Sequence, residues 1–529
     1  MSVHARAPCD DLVIGHAPAL EPQSGSTERW VLAATVIGSS MAFIDGTVVN
    51  VALPELQRSL GATVLEVQWV VESYALMLAA LIVVGGALGD YFGRRRVFAV
   101  GIVLFAAASM WCGMVPDVGQ LIAARAVQGI GGALLIPGSL AILSSTFSAE
   151  RRGAAIGMWS GLTAINMAVG PVLGGWLVEH ASWRWIFYIN IPAAFVVLAI
   201  VIWRVPESHG ERTEGGLDWP GALLATIGLG AIVLGLIESS NLGLGHPFIA
   251  GALAVGVAAL VAFILVERRS RAPMMPLGLF RSRAFSGANL LTLMLYAALG
   301  GALFFLPFNL VQVQGYSATA AGAAFLPLIA IMAVLSRWSG RLLDRFGARV
   351  PLTIGPLLAA AGFALFAIPG IGGSYWVTFF PAVAVLGLGM AVSVAPLTTT
   401  VMNSVGEESS GVASGVNNAV ARLGSLVAVA AMGMLVLSTF NGALDARLAA
   451  LGVPEDVWDA LAGERIKLAA AQLPAGIGEG LRSAVEQAVA GAFVSAFRLN
   501  MLVAAGLALI AALTGLLFID SRGKARTAD

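Results

Sequence analysis

The stretch GALGDYFGRRRV, at residues 86–97, has a near copy in GRLLDRFGARV at residues 340–350. The matched positions, each pair 254 residues apart, are Gly86/Gly340, Leu88/Leu342, Asp90/Asp344, Phe92/Phe346, Gly93/Gly347 and Arg95/Arg349. The same offset carries Gly61 to Gly315, at the start of the preceding predicted helix. A repeat at this separation predicts a chain built from two duplicated halves.

The repeated loop has the composition of a tight turn between two helices. Its glycines allow close packing and a sharp bend, and Asp90 lies beside the three arginines at 94–96. An acid next to several guanidinium groups can hold neighbouring helices together in one state and release them in another. The alternative is a topology signal that needs only the arginines, and the repetition of Gly, Asp and Gly favours a lock. The candidate gating residues are Gly86, Asp90, Gly93, Arg94, Arg95, Gly340, Asp344 and Gly347.

The composition is too apolar for a soluble protein. Of the 529 residues, 58% are hydrophobic and 11% are charged, against roughly 25% charged in soluble domains. Lys plus Arg equals Asp plus Glu, at 30 each, and no basic block suggests a nucleic-acid partner. The two cysteines, Cys9 and Cys112, give neither a disulfide framework nor a metal-ligand spacing. We therefore expect an all-α polytopic membrane protein without a metal site.

Fourteen runs are apolar enough to span a membrane, which takes about 20 residues. They cover 30–52, 67–89, 97–115, 119–145, 153–178, 185–203, 218–238, 248–266, 285–311, 318–340, 351–370, 375–402, 411–437 and 493–519. Transporters with duplicated halves use about six helices in each. The seventh and eighth spans lie between the matching sets and are therefore expected to be an insertion.

Charge sets the expected orientation. Loops after even-numbered spans are rich in arginine, whereas the short loops after odd-numbered spans hold only Arg58 and Arg184. Because arginine-rich loops stay in the cytoplasm, both termini are expected there. The predicted divisions are a cytoplasmic tail at 1–29, a six-helix bundle at 30–203, two extra helices at 218–266, a six-helix bundle at 285–519 with an external loop at 438–492, and a cytoplasmic tail at 520–529. The external loop is read as an amphipathic lid, or else as a solvated loop.

These residues resemble the major facilitator superfamily, and specifically its fourteen-span drug:proton antiporter branch. GALGDYFGRRRVF looks like the family's cytoplasmic loop motif, and IDGTVVNVALP (44–54) looks like its first-helix motif. LIAARAVQGIGGA (121–133) is similar to its fourth-helix motif, with Arg125 at the arginine position. GMWSGLTAINMAVGPVLGG (157–175) resembles its fifth-helix antiporter motif. The resemblance covers the chain from Trp30 to Asp520.

The resemblance implies the major facilitator fold and a multidrug efflux function. It implies export of amphipathic or cationic small molecules, such as drugs, antibiotics and dyes, in exchange for protons. No cofactor is expected, since the proton gradient would supply the energy. The expected partners are the small-molecule substrate, protons and the lipid bilayer. We expect a monomer in the plasma membrane, specifically a bacterial inner membrane.

Three ionisable residues lie at similar depth in the outer half of the predicted spans: Asp45, Arg125 and Glu72. A charge at this depth is costly and usually faces a cavity or a partner. Near Arg125, Asp45 would stay ionised; in a drier pocket it would bind a proton. Alternation between these settings is a proton-coupling mechanism. The alternatives are a helix-pairing carboxylate, an arginine that donates to backbone carbonyls, and a Glu72 that reaches the lipid headgroups.

Two further sets of residues are candidates for the transport path. The fifth-helix set, expected to pack closely and seal the cavity against ion leak, is Gly157, Asn166, Gly170, Pro171, Gly174 and Gly175. The candidates for the substrate cavity are Asn50, Gln128, Asn289, Tyr296, Asn309 and Arg422. Asn166 replaces the usual glycine of the fifth-helix motif, and Glu72 stands where a small hydroxyl residue is more usual. Either departure could change the substrate or ion site.

Other functions remain open on the sequence alone. A dedicated exporter of an endogenous metabolite or a proton-coupled symporter would share this architecture, although the antiporter-like fifth span argues against import. A membrane enzyme would need an acid–base or nucleophile cluster at a membrane edge, which we do not find. The chain lacks a GxxxxGK[ST] loop, so ATP is not its expected energy source. A non-transporting sensor is disfavoured by the paired loop motifs.

Overall fold

The structure is a computed structural model that describes residues 25–209, 218–270, 273, 275–405, 410–474 and 477–519. The helices before the insertion are α1 (Gly25–Leu60), α2 (Val64–Phe92), α3 (Arg94–Met114), α4 (Val118–Thr146), α5 (Ala149–His180), α6 (Trp185–Tyr188) and α7 (Asn190–Arg204). The inserted pair is α8 (Trp219–Leu242) and α9 (Pro247–Glu267). The remaining helices are α10 (Arg283–Phe308), α11 (Ala318–Ala323), α12 (Leu326–Phe346), α13 (Arg349–Phe366), α14 (Tyr375–Thr378), α15 (Phe380–Asn403), α16 (Ser410–Leu451), α17 (Glu455–Ala462) and α18 (Glu479–Phe518).

The architecture is that of an all-α polytopic membrane protein. Thirteen helices among the described residues are long and apolar enough to cross a membrane. The 32-residue α5 is a further long helix and coincides with the fifth predicted span. The inserted α8 packs against α2 of the first half and α16 of the second, whereas α9 packs on α8. The insertion therefore lies along the seam between two six-helix bundles.

The repeat found in the sequence extends to the backbone. Gly61 and Gly315 have positive φ angles of 62° and 69°, and Gly93 and Gly347 have 106° and 71°. These are conformations that glycine adopts without the steric cost of a Cβ atom. We call the end of the bundle with Gly61 and Gly315 the Gly61 end, and the opposite end, with Asp90 and Gly347, the Asp90 end.

The two halves contact each other at the Gly61 end. A Cβ atom added at Gly175 of α5 would overlap the backbone of Ala318, and one added at Gly322 would overlap the backbone of Pro171. Farther from this end, Gly46 of α1 and Gly415 of α16 have nothing within 4 Å of a Cβ position. The close backbone contacts of Gly175 and Gly322 between the halves are therefore at the Gly61 end.

The segment predicted as an external loop is largely helical. α16 has 42 residues and α18 has 40, about twice what a membrane span requires, so both extend past the predicted span boundaries at 437 and 493. Between them, α17 and a 3-10 helix at Arg465–Ala470 fold back on the bundle, with Leu461 and Leu468 fully buried. Arg465 pairs with Asp445 at 2.6 Å. This packing differs from the solvated loop that was one of the two expectations.

Candidate functional site

Asp45 and Arg125 form a buried ion pair between α1 and α4. The distance from Arg125 Nη1 to Asp45 Oδ2 is 2.5 Å. The Arg125 side chain is 1% exposed and the Asp45 side chain is 0% exposed. Arg125 also donates from Nε to the carbonyl of Val70 at 3.2 Å. Both charges are thus removed from solvent, and each depends on the other for compensation, because an unpaired buried charge is strongly destabilising.

Gln128 completes this cluster. It lies one helical turn after Arg125, accepts from Arg125 Nη1 at 2.7 Å, and donates from Nε2 to Asp45 Oδ1 at 2.9 Å. Both carboxylate oxygens of Asp45 are therefore occupied. On the other side, the guanidinium group stacks on the Tyr74 ring, 4.2 Å from its centroid. Tyr74 was missed in the sequence, although it lies only two residues after Glu72 on α2.

Glu72 does not join the hydrogen-bonded cluster of Asp45, Arg125 and Gln128. Its side chain is 1% exposed, and Oε2 has no hydrogen-bond partner among the described residues. Glu72 lies one turn after Gln68, whose amide donates to the carbonyl of Val429 on α16 at 3.1 Å. Residues four apart share a helix face, so Glu72 lies on the face of α2 that meets the second half.

The repeated loop is held within the first half. Asp90 pairs with Arg94 at 2.8 Å, and Arg94 reaches the carbonyl of Ala141 on α4 at 3.3 Å. Glu207, in the segment after α7, accepts from the backbone N–H of Arg95 at 2.9 Å. Its carboxylate also lies 3.6 Å from Arg96 Nε. Glu207 was not predicted as a site residue. It could have been found, because it follows a span that ends on the same predicted side of the membrane as the arginines at 94–96.

The two glycines of the first loop copy differ in their requirements. Gly93 needs its positive φ, and a Cβ atom there would lie 2.8 Å from the Glu207 carboxylate. At Gly86, by contrast, a Cβ atom would make only an ordinary 3.5 Å contact with Pro137. The close approach occurs instead at Gly85, where a Cβ atom would overlap the carbonyl of Ala133. The side chain of Asp344 and the surroundings of Gly340, in the second copy, lie outside the described residues.

Helix α5 packs on α1 through small residues. A Cβ atom at Gly170 would overlap Thr47, and one at Gly174 would lie 3.0 Å from Val48. Asn166 donates a short hydrogen bond to Ser40 Oγ on α1. Gly175, also on α5, contacts α11 of the second half. These glycines therefore place α5 against both halves. The surroundings of Gly157 lie outside the described residues.

The substrate-cavity candidates are placed unequally. Gln128 belongs to the ion-pair cluster, and Asn289 and Asn309 are 3% and 2% exposed. Asn289 is bonded to Asn417 at 3.2 Å, and Asn309 accepts from Gln314 at 3.1 Å. These three are buried rather than lining open space. The three that remain partly exposed are Asn50, Tyr296 and Arg422.

A second arrangement of polar groups joins the halves at the Gly61 end. Gln312 Nε2 donates to Gln57 Oε1 at 2.9 Å, and Gln57 Nε2 donates to the carbonyl of Lys467 at 3.1 Å. Nearby, Glu179 of α5 accepts from the backbone N–H of Thr319 at 3.2 Å. A cavity of about 660 Å³ lies among these groups, lined in part by Pro54. Sequence analysis selected none of these residues.

Comparison with known proteins identifies the family. The Major Facilitator Superfamily model matches residues 35–429, which is most of the chain. The chain belongs to the major facilitator superfamily. It is therefore a multi-pass membrane transporter of small molecules and not an enzyme, as the sequence predicted.

Its curated relatives are named for drug and antibiotic resistance. The tetracenomycin C resistance and export protein of Streptomyces glaucescens is 34% identical over 513 residues, covering 95% of this chain and 93% of the relative. The puromycin resistance protein pur8 of Streptomyces alboniger is 38% identical over 427 residues, covering 79% and 83%. The multidrug resistance protein Stp of Mycobacterium tuberculosis is 35% identical, covering 80% and 78%. The predicted resemblance to the drug-efflux branch is thus confirmed.

Solved structures support the fold. A bacterial homolog of the human lysosomal transporter Spinster, in an inward-facing conformation, aligns with a TM-score of 0.64 at 18% identity, covering 94% of this chain and 100% of that one. A D-xylose-proton symporter aligns with a TM-score of 0.57 at 15% identity, covering 93% and 98%. At these identities the comparison shows the major facilitator fold alone.

Proposed function

We propose that this transporter exports amphipathic small molecules, such as drugs, antibiotics and dyes, in exchange for protons. The observation that carries the proposal is the buried pair of Asp45 and Arg125. It joins α1 and α4 inside the first half, and it contains a carboxylate able to take up a proton. Relatives named for resistance and export support the direction of transport.

The cluster surrounds Asp45 with hydrogen-bond donors that suit its ionised form. Its two oxygens accept from Arg125 and Gln128, and a protonated carboxyl would lose one of these acceptor sites. Proton uptake therefore requires the cluster to rearrange. We infer that the opening of the Gly61 end loosens α1 against α4, which lets a proton reach Asp45 from that side. Closure then re-forms the pair and releases the proton toward the Asp90 end.

The sidedness of this cycle follows from the arginines. The Asp90 end carries the arginines at 94–96 and receives the start of α1 and the end of α18. By the positive-inside rule this end is cytoplasmic, with both termini on that side. We propose a monomer in the plasma membrane, specifically a bacterial inner membrane, driven by the proton gradient without a cofactor.

The test is proton exchange in everted membrane vesicles that contain the full chain. Adding a fluorescent amphiphile to vesicles with a pre-formed proton gradient should release protons from the wild type. Asp45→Asn should abolish this release while the variant remains in the membrane at normal levels. Asp459→Asn is the matched control, because Asp459 is exposed on α17 and lies outside the cluster.

The direction of proton movement separates the proposal from its alternatives. A symporter would take up protons together with the added molecule, and a dedicated metabolite exporter would respond to none of a broad panel of amphiphiles. Normal proton-coupled export by Asp45→Asn would rule out Asp45 as the coupling residue.

A further inference from the structure

Arg422 is a deep cation that the proton-exchange cycle does not use. It lies on α16, two helical turns before Val429, the residue whose carbonyl accepts from Gln68 of the first half. Residues seven apart share a helix face, so Arg422 lies on the face of α16 that meets α2. At 1.5 Å per residue it lies about 10 Å closer to the Asp90 end than that contact. This places it between that contact and the Asp90 end.

The guanidinium group of Arg422 has no protein counter-ion. It forms no hydrogen bond or ion pair with any described residue. Its nitrogens are not completely enclosed by protein atoms. An arginine within a membrane span normally pairs or faces a water-filled cavity. Arg422 is partly exposed and has no hydrogen-bond or ion-pair partner among the described residues, which fits the second setting.

The nearby carboxylates are already committed or enclosed. Asp45 is 0% exposed and bonded through both oxygens to Arg125 and Gln128. Glu72 is 1% exposed and forms no ion pair with Arg422. The positive charge of Arg422 is therefore not neutralised by a described acidic residue.

A second donor lies at the same level on the neighbouring helix. Helices α10 and α16 run parallel, with Thr292 bonded to Asn417 at 2.7 Å and Gly300 packed on Ser425. Tyr296 lies midway between Thr292 and Gly300, so it is level with the turn that holds Arg422. Its side chain is partly exposed, and its hydroxyl has no hydrogen-bond partner among the described residues. A phenol hydroxyl can donate to an anionic oxygen.

We propose that Arg422, assisted by Tyr296, binds an anionic oxygen of the exported molecule, so that the preferred cargo is an amphipathic organic anion bearing a carboxylate or phenolate. This inference rests on the proposed export function and reverses the cationic preference expected from the sequence. An arginine fork recognises a carboxylate through paired hydrogen bonds. For a phenolate, the Arg422 guanidinium and the Tyr296 hydroxyl would both donate to its single oxygen.

The proposal has an electrical consequence. Export of a monovalent anion against entry of one proton at Asp45 moves two positive charges inward, whereas exchange of a monovalent cation for one proton moves none. Export of an anion should therefore be driven by the membrane potential, with the Asp90 end on the negative side. Export of a cation by the same one-proton cycle should not respond to the potential.

The experiment uses two dyes with a common xanthene core, the anion fluorescein and the cation rhodamine 6G, with the full-length protein in proteoliposomes. The wild type should bind and export fluorescein in preference to rhodamine 6G, and an imposed potential should accelerate only fluorescein export. Arg422→Gln should weaken fluorescein binding about tenfold or more, as expected for loss of a charged hydrogen bond, with rhodamine 6G unaffected. Arg422→Lys should retain part of the fluorescein binding.

Arg498→Gln is the matched control, because Arg498 is exposed at the Gly61 end and bonds the carbonyls of Ile368 and Pro369. It should leave both dyes unchanged. Equal weakening of both dyes by Arg422→Gln, with Arg422→Lys no better, would mean that Arg422 is structural. A wild-type preference for rhodamine 6G would overturn the proposal without any variant. Arg422-dependent fluorescein binding without proton exchange would instead refute the proposed antiport and leave this inference standing.

Discussion

Gln312 donates to Gln57 at 2.9 Å across the interface between the two halves, and Gln57 in turn donates to the carbonyl of Lys467 in the segment between α16 and α18. One polar chain thus joins the first half, the second half and the segment above them at the Gly61 end. In the proposed export cycle the halves separate at this end, so these hydrogen bonds would break in each cycle. The segment between α16 and α18 would then move when the Gly61 end opens.

Joining the two glutamine positions should therefore stop transport. In a variant lacking Cys9 and Cys112, we expect Gln57→Cys/Gln312→Cys, linked by a short bis-thiosulfonate reagent, to bind dye without exporting it. A reductant should restore export, as measured by dye efflux from the same vesicles. Each single cysteine variant, treated with the same reagent, is the control. Undiminished export by the linked protein would show that the Gly61 end does not need to open.

Glu179 should make the closure of this end sensitive to acid. The nearby side chains of Thr319 and Ser317, together with the Thr319 backbone N–H that donates to the carboxylate at 3.2 Å, lower the pKa of the Glu179 carboxyl. A lowered pKa means that the contact stabilises the closed form above the usual carboxyl pKa, and that this stabilisation is lost as the pH falls through the lowered value. Glu179→Gln should thus open the Gly61 end at neutral pH.

The measurement is the distance between spin labels at Arg58 and Val377, which are both exposed and lie in different halves. At pH 7 the variant should populate longer distances than the wild type. As the pH falls below the lowered pKa of the wild-type carboxyl, the two proteins should converge, because that carboxyl is then protonated. A distance distribution that is identical in both proteins at pH 7 would remove Glu179 from the gate.

The ion pair of Asp45 and Arg125 should show strong coupling in stability. Removing one partner leaves the other charge buried, which typically costs about 3–5 kcal/mol. We expect Asp45→Asn and Arg125→Gln each to lower the thermal unfolding temperature in detergent, and the double variant to recover most of the loss. Proton-coupled export should stay absent in all three. If the stability losses of the two single variants simply add in the double variant, the two residues do not pair directly. The double-mutant cycle measures the interaction free energy between them.

Adjacent glycines on α2 should respond in opposite ways to alanine. Gly85→Ala should destabilise the protein, because the new methyl group would overlap the Ala133 carbonyl on α4 and force the two helices apart. Gly86→Ala meets only Pro137 at 3.5 Å and gains helix propensity of about 1 kcal/mol. Thermal unfolding of the purified variants distinguishes them. Equal tolerance at both positions would contradict the close α2–α4 packing.

The amino-acid sequence alone was sufficient to predict the membrane spans, the inserted pair of helices and the two-fold repeat. These features are local, since hydropathy sets a span and a positive φ needs only a glycine. For that reason Gly61, Gly93, Gly315 and Gly347 could be placed at turns before any contact was known. The pairing of Asp45 with Arg125 was also foreseeable, because two opposite charges at one depth each require a partner.

The folded structure was needed to show which faces of the helices meet. It placed Gln128 inside the ion pair, turned Glu72 toward the second half, and brought Glu207 onto the arginine loop. It also extended α16 and α18 far beyond the apolar runs that predicted them. Side-chain direction depends on the rotation and register of each helix against its neighbours, and hydropathy along a single span carries little of that information.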